Sequence, residues 1–148
     1  MIIEQTRFGT IEIEPARIVA MIRALPGFPD RKRFIILDRG ESHPFLWFQS
    51  VDDPGLAFVI ISPFLFVPDY RVDLNGASQA LGWEKEDEER GKLSVFVLVN
   101  TASGAPNKIS ANLMAPLLIH MERFEAVQLI MPDSTYSHKH PLFEKETA

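Results

Sequence analysis

Cysteine is absent from the 148 residues. That removes disulfides, thiolate nucleophiles and cysteine-based zinc sites together, and is what a reducing compartment permits. The fold must therefore hold by packing. No apolar run approaches the ~20 residues that a membrane helix needs. The opening MIIEQTRFGT has no basic segment followed by a long apolar one, so neither a membrane span nor a secretory leader is expected, and the expected location is the cytoplasm. The common catalytic signatures are missing too: there is no Gly-x-Ser-x-Gly elbow, no glycine-rich phosphate loop and no HExxH helix. An enzyme is not expected. Positive charge is in short supply, the formal balance being −5, so the mean field repels phosphate backbones. The only compact basic cluster, Arg31-Lys32-Arg33, precedes a strand instead of interleaving with stacking aromatics, and direct nucleic-acid binding is not expected. Internal repeats and low-complexity linkers are also lacking.

What the chain does have is packing material. Hydrophobic residues make up 46% of it and eleven are Phe, enough at this length for one domain with an adequate core. The opening reads as a hairpin of Ile2 to Arg7 and Thr10 to Glu14 around Gly9. Ala16 to Ala24 reads as a short helical turn or a strand, ahead of the breaker cluster Leu25-Pro26-Gly27-Phe28-Pro29. Short β-branched and aromatic runs follow at Phe34–Leu37, Phe45–Val51 and Leu56–Ser62, then at Leu93–Asn100, Ile109–Leu113, Leu117–Met121 and Ala126–Met131. Phe64-Leu65-Phe66, held between Pro63 and Pro68, reads as an edge segment or packed loop. One short helix is expected over Ala77–Leu81, closed by Gly82, with a possible second turn over Glu84–Arg90. Such a series of brief strands predicts an all-β, mostly antiparallel fold, a small closed or partly closed β-barrel with one or two short helices, because closure hides strand edges. It occupies 1–142 as a single domain, and 143–148 is a polar, frayed tail.

Several residue groups could carry chemistry. His138 and His140 flank Lys139, and in extended chain these positions put both imidazoles on one face, as a metal site would use. No third ligand stands nearby. Asp133, the nearest carboxylate, reads as part of a Pro132-Asp133-Ser134 turn, so no metal ligands are assigned. A small barrel that binds a metal or ligand through the two histidines remains the alternative. Ser137 beside His138 points to the opposite strand face and is no nucleophile–base pair. Asp52-Asp53-Pro54-Gly55 suits a tight turn better than a carboxylate pair for acid–base work. The stretches Phe45-Leu46-Trp47-Phe48 and Phe64-Leu65-Phe66 hold more aromatic surface than one strand face can bury, so they read either as covered on both faces or as an anchor for a protein partner. The run Glu84–Arg90 reads as a solvated acidic surface that could steer a basic partner.

Read together, Leu25-Pro26-Gly27-Phe28, Trp47-Phe48-Gln49-Ser50-Val51-Asp52-Asp53-Pro54 and Leu56-Ala57-Phe58 resemble the FliW family. Pro63-Phe64-Leu65-Phe66-Val67-Pro68-Asp69-Tyr70, Ser110-Ala111-Asn112-Leu113-Met114-Ala115-Pro116 and Tyr136-Ser137-His138-Lys139-His140-Pro141-Leu142 continue the resemblance in order, from about Ile3 to Leu142. It implies a cytoplasmic bacterial protein with a β-barrel-like fold, no catalytic role and no cofactor. Its implied partners are flagellin before export and CsrA, a small basic RNA-binding regulator whose repression of flagellin mRNA translation is thereby relieved. The implied mechanism is partner exchange, which couples flagellin synthesis to secretion. The contact residues expected on this basis are Gln49, Asp52 and Asp53 in one turn and Phe64, Phe66, Asp69 and Tyr70 in one segment. Two departures stand out: His120 occupies a position where the family suggests Asn, and Arg123-Phe124-Glu125-Ala126 stands where a basic, glycine-containing hairpin turn is usual. The connection Lys85–Arg90 also differs from the shorter acidic one the family suggests.

Overall fold

The computed structural model describes residues 1–40, 44–72, 81–83, 91–100, 109–131 and 135–142. Among the described residues eleven strands form in chain order: β1 (Ile2–Thr6), β2 (Gly9–Glu12), β3 (Val19–Met21), β4 (Arg33–Leu37), β5 (Leu46–Ser50), β6 (Ala57–Ile61), β7 (Leu93–Asn100), β8 (Ser110–Ala111), β9 (Leu117–His120), β10 (Glu125–Gln128) and β11 (His140–Pro141). Seven of them close into a barrel. Closure depends on the length of β7: Leu93–Phe96 pair with β9, while Val97–Val99 pair with β6. From β6 the ring runs through β5, β4, β3 and β10 back to β9. All these pairs are antiparallel except β3 with β10, which is parallel. β8 and β11 extend the sheet beyond the far end of β7.

The two-residue period of a strand divides the ring into an inner and an outer face. Phe34, Phe48, Ile60, Leu117, Ile119 and Ala126 form one buried cluster inside. Phe34 and Phe48 lie diagonally across β4 and β5, with rings stacked at 4.4 Å. Burying each large side chain contributes roughly 1.5–3 kcal/mol. The outer face is covered twice. Ile3, Ile11 and Ile13 of the β1–β2 hairpin pack on Ile35 and Val51. Elsewhere Tyr70, Trp83 and Leu113 cover Ile61, Val95, Val97, Leu118 and Val127. This second layer explains why every residue of β9 is buried rather than alternate ones.

The closed, mostly antiparallel barrel agrees with the sequence expectation. Locally, Ala16–Ala24 resolves into both alternatives, a 3-10 turn at Pro15–Arg17 followed by β3. Leu25-Pro26-Gly27-Phe28 is a tight turn in which Phe28 N–H donates to Leu25 O at 2.9 Å. Proline enters it and Gly27, at φ +86°, supplies the left-handed residue that such a turn requires. Ile109–Leu113 contracts to two ladder residues. Leu129 and Met131 donate to Pro116 O and Met114 O instead of extending β10. β11 carries no periodic signal in the sequence, being two residues of which one is proline. The expected helix over 77–81, apart from Leu81, lies outside the described residues. So do Glu84–Arg90, the turn at 132–134 and the tail 143–148. Among the described residues no helix is long and apolar enough to cross a membrane.

Candidate functional site

The β5–β6 turn is built by its own side chains. Gln49 is wholly buried, and its Nε2 donates to Ser50 O, Pro54 O and Leu56 O at 3.0–3.1 Å. Ser50 Oγ accepts from Asp53 N at 2.9 Å. Asp52 reaches across to the start of β4, where Oδ2 accepts from the Lys32 and Arg33 backbone N–H groups and Oδ1 from the Arg33 guanidinium at 2.7 Å. Asp53 pairs with Arg31 at 3.1 Å. The two aspartates thus join the turn to the basic cluster, and the turn reading of Asp52-Asp53-Pro54-Gly55 describes them well. Gln49 offers a partner no surface, which corrects the expectation of a direct contact there: an amide spent on three carbonyls acts by shaping the turn. Asp52 and Asp53 keep exposed edges.

Burial works to raise the Asp52 pKa, but the Arg33 guanidinium and two backbone N–H donors outweigh it, and the net shift is downward from 3.8. A depressed folded-state pKa stabilises the fold fully above 3.8, and that contribution is lost as pH falls through the lower folded value. Asp52→Asn should therefore reduce stability by about 1 kcal/mol at neutral pH. Thermal melts carried from neutral pH to below 3.8 should show the difference from wild type closing on the acid side.

The segment after β6 turns at once into a 3-10 turn, Pro63–Leu65, held by Val67 N–H donating to Pro63 O at 2.8 Å. Its residues separate sharply. Phe64 and Leu65 stand 45% and 62% exposed, whereas Tyr70 is 4% exposed. Tyr70 O–H donates to Leu113 O at 2.6 Å, and its ring packs 4.6 Å from Tyr136. Burial, reinforced by the neighbouring Tyr136, pushes its phenol above the usual range. The expectation that Tyr70 meets a partner is corrected on that ground: it anchors the segment. Phe66 is half-buried and stacks on His140 at 5.5 Å, and Asp69 is exposed. Phe64, Leu65 and Asp69 therefore present an apolar pair with an acidic neighbour on a braced support. Of the two aromatic stretches, the first places Phe48 inside the barrel and leaves Phe45, Leu46 and Trp47 half-buried, and the second carries the more exposed side chains, Phe64 and Leu65.

The histidines do not share one face of a strand. His138 lies in an exposed turn where Lys139 N–H donates to Ser137 Oγ at 3.0 Å, while His140 enters β11 against Phe66. Among the described residues no three His, Asp or Glu side chains gather as a metal would require.

His120 explains its own departure from the family pattern. It is buried, and Nδ1 accepts from the Glu122 and Arg123 backbone N–H groups at 3.3 and 3.0 Å. An Asn carbonyl at this position could accept in the same way. Phe124 then takes φ +52°, the left-handed conformation that favours glycine, and its ring packs on the barrel core.

Sequence reasoning missed two features, since each draws on distant segments. One is a groove of about 270 Å³ at a barrel mouth, lined by Leu25, Phe28, Phe58, Leu98, Gln128 and Ile130 among others. The other is an arginine–aromatic cluster of Arg7, Phe8, Arg39 and Trp47 at the hairpin turn.

Comparison with known proteins agrees with this architecture. A family model described as FliW protein matches residues 2–142. The flagellar assembly factor FliW of Treponema denticola is 36% identical over 148 residues, covering 100% of this chain and 97% of that one. The flagellar assembly factor FliW of Syntrophus aciditrophicus is 35% identical over 144 residues, covering 97% and 89%. A crystal structure of the flagellar assembly factor FliW superposes with a TM-score of 0.85 at 32% identity over 99% of both chains. With the barrel and the sequence matched along nearly their whole length, the chain belongs to the FliW family.

Proposed function

We propose that this protein is a cytoplasmic, non-catalytic flagellar assembly factor, acting as one domain over 1–142, that binds flagellin and also binds CsrA. Occupation by flagellin leaves CsrA free to repress flagellin mRNA translation; export of flagellin frees the protein to antagonise CsrA. The full-length family match carries this reading. The exposed Phe64-Leu65 pair supports it, because large apolar side chains held at the surface by a braced turn give a partner a preorganised anchor. Asp69, exposed in the same segment, suits the rim of a site for a basic partner, and the net charge of −5 favours encounter with one.

The exchange is a pair of linked equilibria: whatever factor flagellin takes from CsrA affinity, CsrA takes from flagellin affinity. Calorimetric titration of the purified protein against flagellin and CsrA from the same organism, at two salt concentrations, tests it. Binding of both is expected, with flagellin reducing the apparent CsrA affinity and salt weakening the CsrA interaction more. Binding of neither folded partner would leave only the fold in common with the family.

A further inference from the structure

The β1–β2 hairpin turn carries a ladder of alternating cations and rings. The Arg7 guanidinium lies 4.7 Å from the Trp47 ring centroid, and the Arg39 guanidinium 4.6 Å from that of Phe8. The Phe8 and Trp47 rings meet edge to face at 5.2 Å. Both arginines are exposed, and both rings are half-buried. Neither arginine has an ion-pair partner among the described residues, whereas Arg31 and Arg33 are held by Asp53 and Asp52.

The support beneath the ladder is stiff. Thr6 Oγ1 donates to Gly9 O at 2.6 Å and accepts from Phe8 N at 3.1 Å, which fixes the hairpin turn. Asp38 Oδ1 accepts from Gly40 N at 2.9 Å and fixes the turn that carries Arg39. Trp47 sits in β5 between Leu37 and Val59. A guanidinium stacked on a ring keeps its N–H edge free, and that edge matches a carboxylate bidentately. Arginine and tryptophan at a rigid surface are also the residue types that dominate binding energy at interfaces.

From this geometry we infer that the hairpin face is a docking site for a carboxylate-bearing segment of a protein partner. Two guanidiniums can hold two carboxylates bidentately at close range, whereas a polyanion such as RNA meets the repulsion of the net charge of −5 along its whole length. A basic partner finds no complement in the two guanidiniums. Of the two partners proposed above, flagellin is therefore the one assigned here, and CsrA binds elsewhere. The test rests on that proposed function.

Arg7→Ala/Arg39→Ala should retain the wild-type circular dichroism spectrum and bind flagellin at least about tenfold more weakly in calorimetry, with CsrA affinity unchanged. Arg7→Lys/Arg39→Lys, which keeps charge but not the planar stack, should fall between. Should the double alanine variant fail to fold, Arg39→Glu alone reverses one charge on an exposed turn and must lower flagellin affinity by a similar factor. Wild-type binding of flagellin with unchanged affinity in the folded variants would overturn the inference and leave the proposed function standing. No wild-type binding of flagellin would remove both. An oligouridylate that binds the wild type and not the alanine variant, with flagellin unaffected, would overturn the inference in favour of nucleic acid.

Discussion

Phe34→Ala is expected to destabilise the protein by about 3–5 kcal/mol, the range for truncating a fully buried aromatic side chain. Phe34 has no exposed surface, stacks on Phe48 at 4.4 Å and contacts Phe58 with ring centroids 6.1 Å apart. It stands on β4 near the short β3, which joins β4 to the parallel partner β10. A void there weakens the part of the ring with the fewest ladder pairs. Urea unfolding should show a lowered midpoint with an unchanged slope. A loss below about 1 kcal/mol would mean that the interior collapses around the gap, contrary to a barrel whose strands fix its walls.

The second large effect is a contrast within one segment. Phe64→Ser/Leu65→Ser should lower the melting temperature far less than loss of Tyr70, because the two side chains stand 45% and 62% exposed and Phe64 keeps a ring contact with Tyr70 at 6.1 Å, and should weaken partner binding by roughly tenfold or more. Tyr70→Ala should do the reverse. It removes a buried ring from the cluster with Tyr136 and strips Leu113 O of its donor, so a stability loss of about 3 kcal/mol or more is expected. Any fall in its binding should then scale with the unfolded fraction. Thermal melts and titrations run in parallel separate the two. Equal loss of stability in both variants would show that Phe64 and Leu65 belong to the fold and would remove them as an anchor.

Period-two alternation and turn chemistry made most of the strands legible, because those signals are local. A strand declares itself by which neighbours are β-branched or aromatic, and Leu25-Pro26-Gly27-Phe28 declares a turn by where proline and glycine can stand. The same locality set the limits. Gln49 and Tyr70 carry polar groups and so read as surface residues. Each is buried because a carbonyl from elsewhere, Pro54 O and Leu56 O for one and Leu113 O for the other, receives its hydrogen. His138 and His140 read as one-faced only if the chain is extended there, and the Ser137–Lys139 turn bends it.

The amino-acid sequence by itself determined the all-β class, the closed barrel as the way to hide short strand edges, and the family, since these depend on composition, spacing and order along the chain. Tertiary structure alone decided which side chains reach a partner. Phe64 and Tyr70 are both aromatics of one short segment, and the layer of Leu113 and Tyr136 above the barrel buries Tyr70 while Phe64 stays about half exposed. Arg7, Phe8, Arg39 and Trp47 come from separate stretches and become one surface only when the hairpin folds over β4 and β5. Exposure and adjacency across such distances are properties of the closed ring and its two covering layers, and no local pattern encodes them.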